Sequence, residues 1–230
     1  MKTNKYLIVL LCIVSVTTIW VFEITKPIPR YGIVLYQLGL GCNDECGQEQ
    51  QLQYFQKAVH YKSNIIDTEY NNMLSDAHYR SALIYENIGN TSEALESYRR
   101  AVEYNQGNVM AHYNMGVHYF REEAYDLASR YFQRALRGSS ICPSDTVYYM
   151  AKICDKQEKY TDALSWYHSF VESYPEYVPE VYPQVAEMYR QLNDPFVVFY
   201  KLHMLRQYQK HDLADQLEQH LKAAEVSWDY

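Results

Sequence analysis

The chain has 230 residues, 25 of them tyrosine, and a net charge of −7, enough length for one or two domains. Its first 30 residues carry Lys2, Lys5, Lys26 and Arg30 against Glu23, so the rest holds −10. An acidic body of this kind disfavours nucleic acid or anionic lipid as its main partner.

Lys2 and Lys5 precede an apolar run over residues 6–22, YLIVLLCIVSVTTIWVF. Its 17 residues sit at the short end for a bilayer span, for which about 20 are usual. A charged start and an apolar middle also fit a secretory signal. No small-x-small cleavage site follows the run; Ser15, Val16 and Thr17 come nearest and lie inside it. Bulky Leu11 ahead of Cys12 argues against lipidation there. The run reads as an uncleaved single-pass anchor, with signal cleavage and a secreted protein as the alternative. Positive charge ahead of it places the N-terminus inside and the body outside, periplasmic in a bacterial-type envelope, although Lys26 and Arg30 pull the other way. Residues 1–30 are thus anchor and short linker.

The remainder is repetitive. Counted from Gly32, Leu38, Gly39, Phe55 and Ala58 open a pattern in which Cys42 and Gln51 stand where later copies carry an aromatic and an alanine. Residues 62–74, KSNIIDTEYNNML, hold a nine-residue excess, which demands an extended helix or a loop. From Ser75 the pattern is clear in Ala82, Tyr85, Ala94, Tyr98 and Ala101. It returns 34 residues later, from Val109, as Gly116, Tyr119, Ala128, Phe132 and Ala135. From Ser144, one residue later still, come Ala151, Cys154, Ala163, Tyr167 and Phe170. From Pro179, Ala186 and Tyr189 fit, followed by Val198, Leu202 and Leu205. Two helices approach closely only where one presents Gly or Ala, and a ring then fills the space beside it. A period near 34 built this way is a stacked helix–turn–helix array. Asn90–Thr91, Thr161 and Asp194 stand where helix N-caps are wanted, the last followed by Pro195. Leu213, Leu217, Leu221 and Ala224 make one stripe on a last helix, over residues 211–230, that caps the stack.

These positions resemble the tetratricopeptide repeat family, whose pattern has a large residue at position 4, Leu-Gly at 7 and 8, an aromatic at 11, Ala at 20, an aromatic at 24, Ala at 27 and Pro at 32. The repeat from Val109, with Met115 ahead of Gly116, matches best, and the repeat from Ser144 adds Met150 and Pro175. The resemblance spans about residues 32–224. It implies an all-α, right-handed solenoid of antiparallel helix pairs over 31–210, with repeats starting near 32, 75, 109, 144 and 179, after one transmembrane or signal helix. It also implies a non-catalytic scaffold or assembly factor for protein–protein interaction at a cell envelope, with a protein or peptide partner and no cofactor, metal or nucleic acid.

In this family the first helix of each repeat lines the concave groove, mainly through positions 2, 5, 6, 9, 12 and 13. Position 5 here reads Tyr36, Tyr79, Tyr113 and Tyr148, then Pro183. A tyrosine wall offers flat apolar area with a hydroxyl at its edge, suited to peptide or sugar; the alternative is that these rings pack between repeats. The candidate groove residues are Tyr79, Tyr113, Asn114, Phe120, Arg121, Tyr148, Tyr149 and Lys152. Arg121, Lys152, Lys156 and Arg190 point to an acidic segment, and envelope polysaccharide handling is the competing function. A carboxylate clamp of the kind found in chaperone-tail binders is missing: only Asn114 matches it, and Asp145 would repel a carboxylate. His78 and His112 fall at position 4 as packing residues, and no catalytic constellation stands out. Cys42 and Cys46 are borderline for a disulfide, whereas Cys142 and Cys154 are separated by more than about 15 Å of helix rise.

Overall fold

A computed structural model describes residues 29–42, 47–60, 68–138 and 143–228. The anchor expected over residues 6–22 lies outside them, as do Cys46 and Cys142. Among the described residues no helix is long and apolar enough to cross a membrane. The fold is all-α, and the described residues contain no strand. In chain order the helices are α1 (Pro29–Gly41), α2 (Gln48–His60), α3 (Thr68–Asn87), α4 (Thr91–Tyr104), α5 (Val109–Arg121), α6 (Tyr125–Gly138), α7 (Asp145–Lys156), α8 (Tyr160–Ser173), α9 (Val178–Leu192), α10 (Pro195–Gln207) and α11 (His211–Ala223), with one 3₁₀ turn at Pro175–Tyr177. They belong to two compact units, residues 1–111 and 112–230.

In the N-terminal unit α1 packs on α2, α2 on α3 and α3 on α4. Gly39 explains the first contact. A Cβ there would stand 2.6 Å from the Phe55 ring, so only glycine lets α1 approach α2 at this point. The excess between the first two repeats is partly helix: α3 starts at Thr68 and buries Tyr70 and Leu74 ahead of Ser75. Buried Ser75 then anchors a small polar network. Its hydroxyl donates to the Ala101 carbonyl at 2.8 Å and accepts from Asn108 Nδ2 at 2.8 Å. Asn108 Oδ1 in turn accepts from the Ala111 amide at 3.0 Å, capping the first turn of α5.

The C-terminal unit repeats the logic with Gly116, whose notional Cβ would meet the Phe132 ring at 2.7 Å. Ala128, in one cluster with Val117 and Phe132, and Ala135 are both fully buried on α6. A larger core follows, in which Ala151, Ala163, Tyr167, Phe170, Val185, Ala186, Tyr189, Leu202, Leu213, Leu217 and Leu221 pack together from α7 to α11.

Four of the turns between successive helices share one backbone device. Gly89, Glu123, Glu158 and Gln209 hold left-handed φ of 80°, 57°, 57° and 59°. Each next residue donates its amide five residues back: Asn90 to Tyr85 (2.8 Å), Ala124 to Tyr119 (2.9 Å), Lys159 to Cys154 (2.9 Å) and Lys210 to Leu205 (2.8 Å). This is the Schellman termination, which satisfies the last carbonyls of one helix and starts the next within three residues. It also fixes where α8 begins. Lys159, not Thr161, is the N-cap, and Thr161 lies inside the helix. At Asp194 the expected cap forms, its carboxylate accepting the Phe196 amide at 3.0 Å ahead of Pro195. Cys42 is disulfide-bonded, whereas Cys154 is free, with burial pushing its thiol pKa up.

Candidate partner-binding cleft

The position-5 tyrosines share one geometry. In the N-terminal unit Tyr36 lies 6.1 Å from Phe55 and Tyr79 lies 6.0 Å from Tyr98, between ring centroids. In the C-terminal unit Tyr113 lies 5.9 Å from Phe132 and Tyr148 lies 5.8 Å from Tyr167. Each ring therefore leans on the position-24 aromatic of its own helix pair, and each stays half-buried. One side of each ring packs on its own pair, and Tyr36 and Tyr113 also reach the next repeat, through Asp76 and Tyr149.

Tyr36 carries a further tie. It donates to Asp76 Oδ2 at 2.6 Å, which Arg80 Nε also reaches at 2.6 Å. Burial and the Asp76 carboxylate push the Tyr36 hydroxyl up to about 12, so it stays a neutral donor at any physiological pH.

Aromatic density peaks in the C-terminal unit. Tyr149 stacks on Phe132 at 5.2 Å with the planes 11° apart, and meets the rings of Phe120 at 5.1 Å and Tyr113 at 6.3 Å edge to face. Edge and offset contacts of this type add about 0.5–1.5 kcal/mol each beyond the area they bury. Beside this cluster opens a cleft of about 250 Å³ lined by Asp145, Tyr148, Tyr149, Lys152, Phe170, Tyr177 and Glu180. Phe170 forms its floor, 3 % exposed, with Tyr148 at 5.3 Å and Tyr177 at 5.2 Å. Tyr177, 40 % exposed, forms an outer wall. Lys152 Nζ sits 5.2 Å over the Tyr148 ring, a cation–π contact.

Of the eight candidates, Tyr148, Tyr149 and Lys152 line this cleft. Tyr113 and Phe120 support it from behind through Tyr149. Asn114 is half-buried on α5 and Arg121 is exposed at its end; neither lines the cleft, and Tyr79 belongs to the other unit. The four cations do not gather: Lys152 lines the cleft, Lys156 and Arg121 are exposed elsewhere, and Arg190 pairs with Glu187 at 2.6 Å. With Asp145 and Glu180 on the same cleft, the preference for an acidic segment loses its basis. Tyr177 comes from the 3₁₀ turn, where the repeat pattern assigns no groove position, whereas Glu180, like Asp145, holds position 2 of its repeat and was readable as a groove residue although it was not among the candidates. Phe170 was legible as an oddity: it holds position 27, where a small residue is usual, and its ring fills the gap between Tyr148, Tyr174 and Tyr177.

Helix pairs closed by a small residue against a position-24 ring define a class of helical-hairpin repeat protein, and residues 79–146 match the model of the tetratricopeptide repeat family. Residues 79–146 thus carry tetratricopeptide repeats. Solved structures agree in fold. MamA from Desulfovibrio magneticus RS-1 aligns at 14 % identity and TM-score 0.55, covering 87 % of this chain and 98 % of that one. A second MamA crystal structure aligns at 16 % identity and TM-score 0.57, covering 86 % and 91 %. At such identities the likeness is one of fold. No curated protein matches the chain in sequence.

Proposed function

We propose that this protein is a non-catalytic scaffold or assembly factor that holds a segment of a partner protein in the cleft around Tyr148, Tyr149, Phe170 and Tyr177. Residues 6–22 anchor it in a membrane and the body is exported to the envelope. The observation that carries the binding reading is the cleft itself, with aromatic walls and Asp145, Lys152 and Glu180 around them. Its size favours peptide side chains. About 250 Å³ lies below the usual range of pockets for whole small molecules, about 300–1,000 Å³. Repeat arrays of this fold are generally interaction modules rather than enzymes. The disulfide at Cys42 supports export, since disulfides persist in oxidising compartments.

Envelope polysaccharide is the second reading, favoured by an exposed ring, Tyr177, close to two carboxylates. Against it stands Lys152, whose ammonium already covers the Tyr148 face on which a sugar ring would stack. The test is affinity capture by the full chain from detergent-solubilised envelopes, with wild type compared to Lys152→Glu. A protein retained by wild type and lost with the variant supports the reading; retention of polysaccharide alone, or of the same proteins by both, refutes it.

A further inference from the structure

Helix α1 is apolar on both sides. Between Tyr31 and Gly41 it has no charged residue. Gly32, Leu35 and Gly39 are buried, Gly39 against Phe55. The side facing solvent is apolar as well: Tyr31 and Val34 are each 51 % exposed, Leu38 48 %, Ile33 40 % and Leu40 36 %. At 3.6 residues per turn these five, with Gln37 and Gly41, sweep about half the circumference of the helix. Surface helices ordinarily put charge there, as α2 and α4 do with Glu49, Lys57, Glu96, Arg99 and Arg100. A contiguous apolar face of this kind marks a surface that something covers.

The chain ahead of α1 indicates what covers it. The apolar run over residues 6–22 ends seven residues before Pro29. Seven residues span at most about 23–25 Å fully extended, so a run held in a bilayer keeps the start of α1 within that distance of the membrane.

We propose that α1 lies flat on the outer surface of the membrane, with Tyr31, Val34 and Leu38 in the interface between headgroups and acyl chains. The proposal rests on the anchor reading above. Helices lying on a bilayer bury an apolar face about 5–10 Å into that boundary, and tyrosine is favoured at headgroup level. The N-terminal unit is then tied to the surface by two contacts, the span and the helix.

The full chain, reconstituted in phosphatidylcholine vesicles doped with a diazirine-bearing phosphatidylcholine, tests this by irradiation, digestion and mass spectrometry. Lipid adducts are expected both in residues 6–22 and in residues 31–40. A Val34→Glu, Leu38→Glu double variant, altered only at exposed positions, is expected to keep the first set and lose the second several-fold with helicity unchanged. Adducts in 6–22 with residues 31–40 unmodified overturn the α1 proposal while leaving the anchor standing; a second copy or the run itself would then be the cover. Adducts in neither overturn the anchor reading and this proposal with it.

Discussion

Gly116→Ala puts the repeat contact under direct load. At an unconstrained helical position the change is favourable, because alanine exceeds glycine by about 0.8–1.0 kcal/mol in a helix. Here the added methyl would stand 2.7 Å from Cε1 and 2.8 Å from Cδ1 of Phe132. Distances below 3.0 Å require movement, and Phe132 has little room for it. The ring is fully buried, with Tyr149 stacked 5.2 Å away and Tyr113 at 5.9 Å. Overpacking of a filled core costs about 1–3 kcal/mol. Taking the upper half of that range for a ring held by neighbours and subtracting the helix gain leaves a net loss of about 1–2 kcal/mol. Urea denaturation followed by far-ultraviolet circular dichroism measures it as a lower midpoint at unchanged slope. Phe132→Leu in the Gly116→Ala background should recover part of the loss, since the smaller side chain leaves space. An increase in stability of about 1 kcal/mol on Gly116→Ala would match free helix propensity and refute the close-approach account.

Three other outcomes follow. Glu158→Gly, at the left-handed turn between α7 and α8, should raise stability by about 1 kcal/mol, the strain a non-glycine residue carries there; a lower melting temperature would contradict it. His168 is buried, with Nε2 2.8 Å from the Tyr189 hydroxyl, and burial together with the Lys201 charge holds its pKa well below the ordinary 6.5. The unfolded chain therefore takes up a proton that the native state refuses, so stability falls as pH drops below 6.5, by up to about 1.4 kcal/mol per pH unit. Glu172 adds to the loss further down. Burial alone would raise its carboxyl, but hydrogen bonds from Lys210 and Lys201 outweigh that and set it below 4.5. His168→Gln should flatten the upper part of this pH profile, and an unchanged slope would exclude His168 as its source. For topology, a reporter active only outside the cytoplasm should work when fused after Tyr230, with the protein pelleting through an alkaline wash; a soluble product lacking residues 6–22 would show cleavage instead.

What the sequence made legible was side-chain size at fixed spacing. Gly39 and Gly116 against Phe55 and Phe132 are readable because only a very small residue fits beside a ring, and Ala82 with Tyr98 and Ala151 with Tyr167 repeat the small-and-aromatic pairing. Backbone demands were less visible. Gly89 announces its left-handed turn, but Glu123, Glu158 and Gln209 adopt the same conformation with side chains that give no turn signal; the amide bonds five residues back impose it. Thr161 misled for the same reason, since the preceding turn had already fixed the start of α8 at Lys159. The cleft was half legible. Tyr148, Tyr149, Lys152 and Glu180 follow from repeat position, whereas Tyr177 depends on the 3₁₀ turn ahead of α9. The exposed side of α1 could be read as apolar in the sequence, but not as facing solvent until Leu35 and Gly39 were seen to take the buried side.

The measurement that bears most directly on the central claim is photocrosslinking from inside the cleft. Benzoylphenylalanine placed at Tyr177 in the full chain, expressed in its native host, reports whatever lies against that wall within a few ångströms. The same group at Tyr208, 66 % exposed in the same unit but outside the cleft, serves as reference. The account predicts a discrete protein adduct from position 177 that is missing from position 208 and is lost in the Lys152→Glu background. Equal adducts from both positions, or none from 177, would contradict a partner-binding cleft.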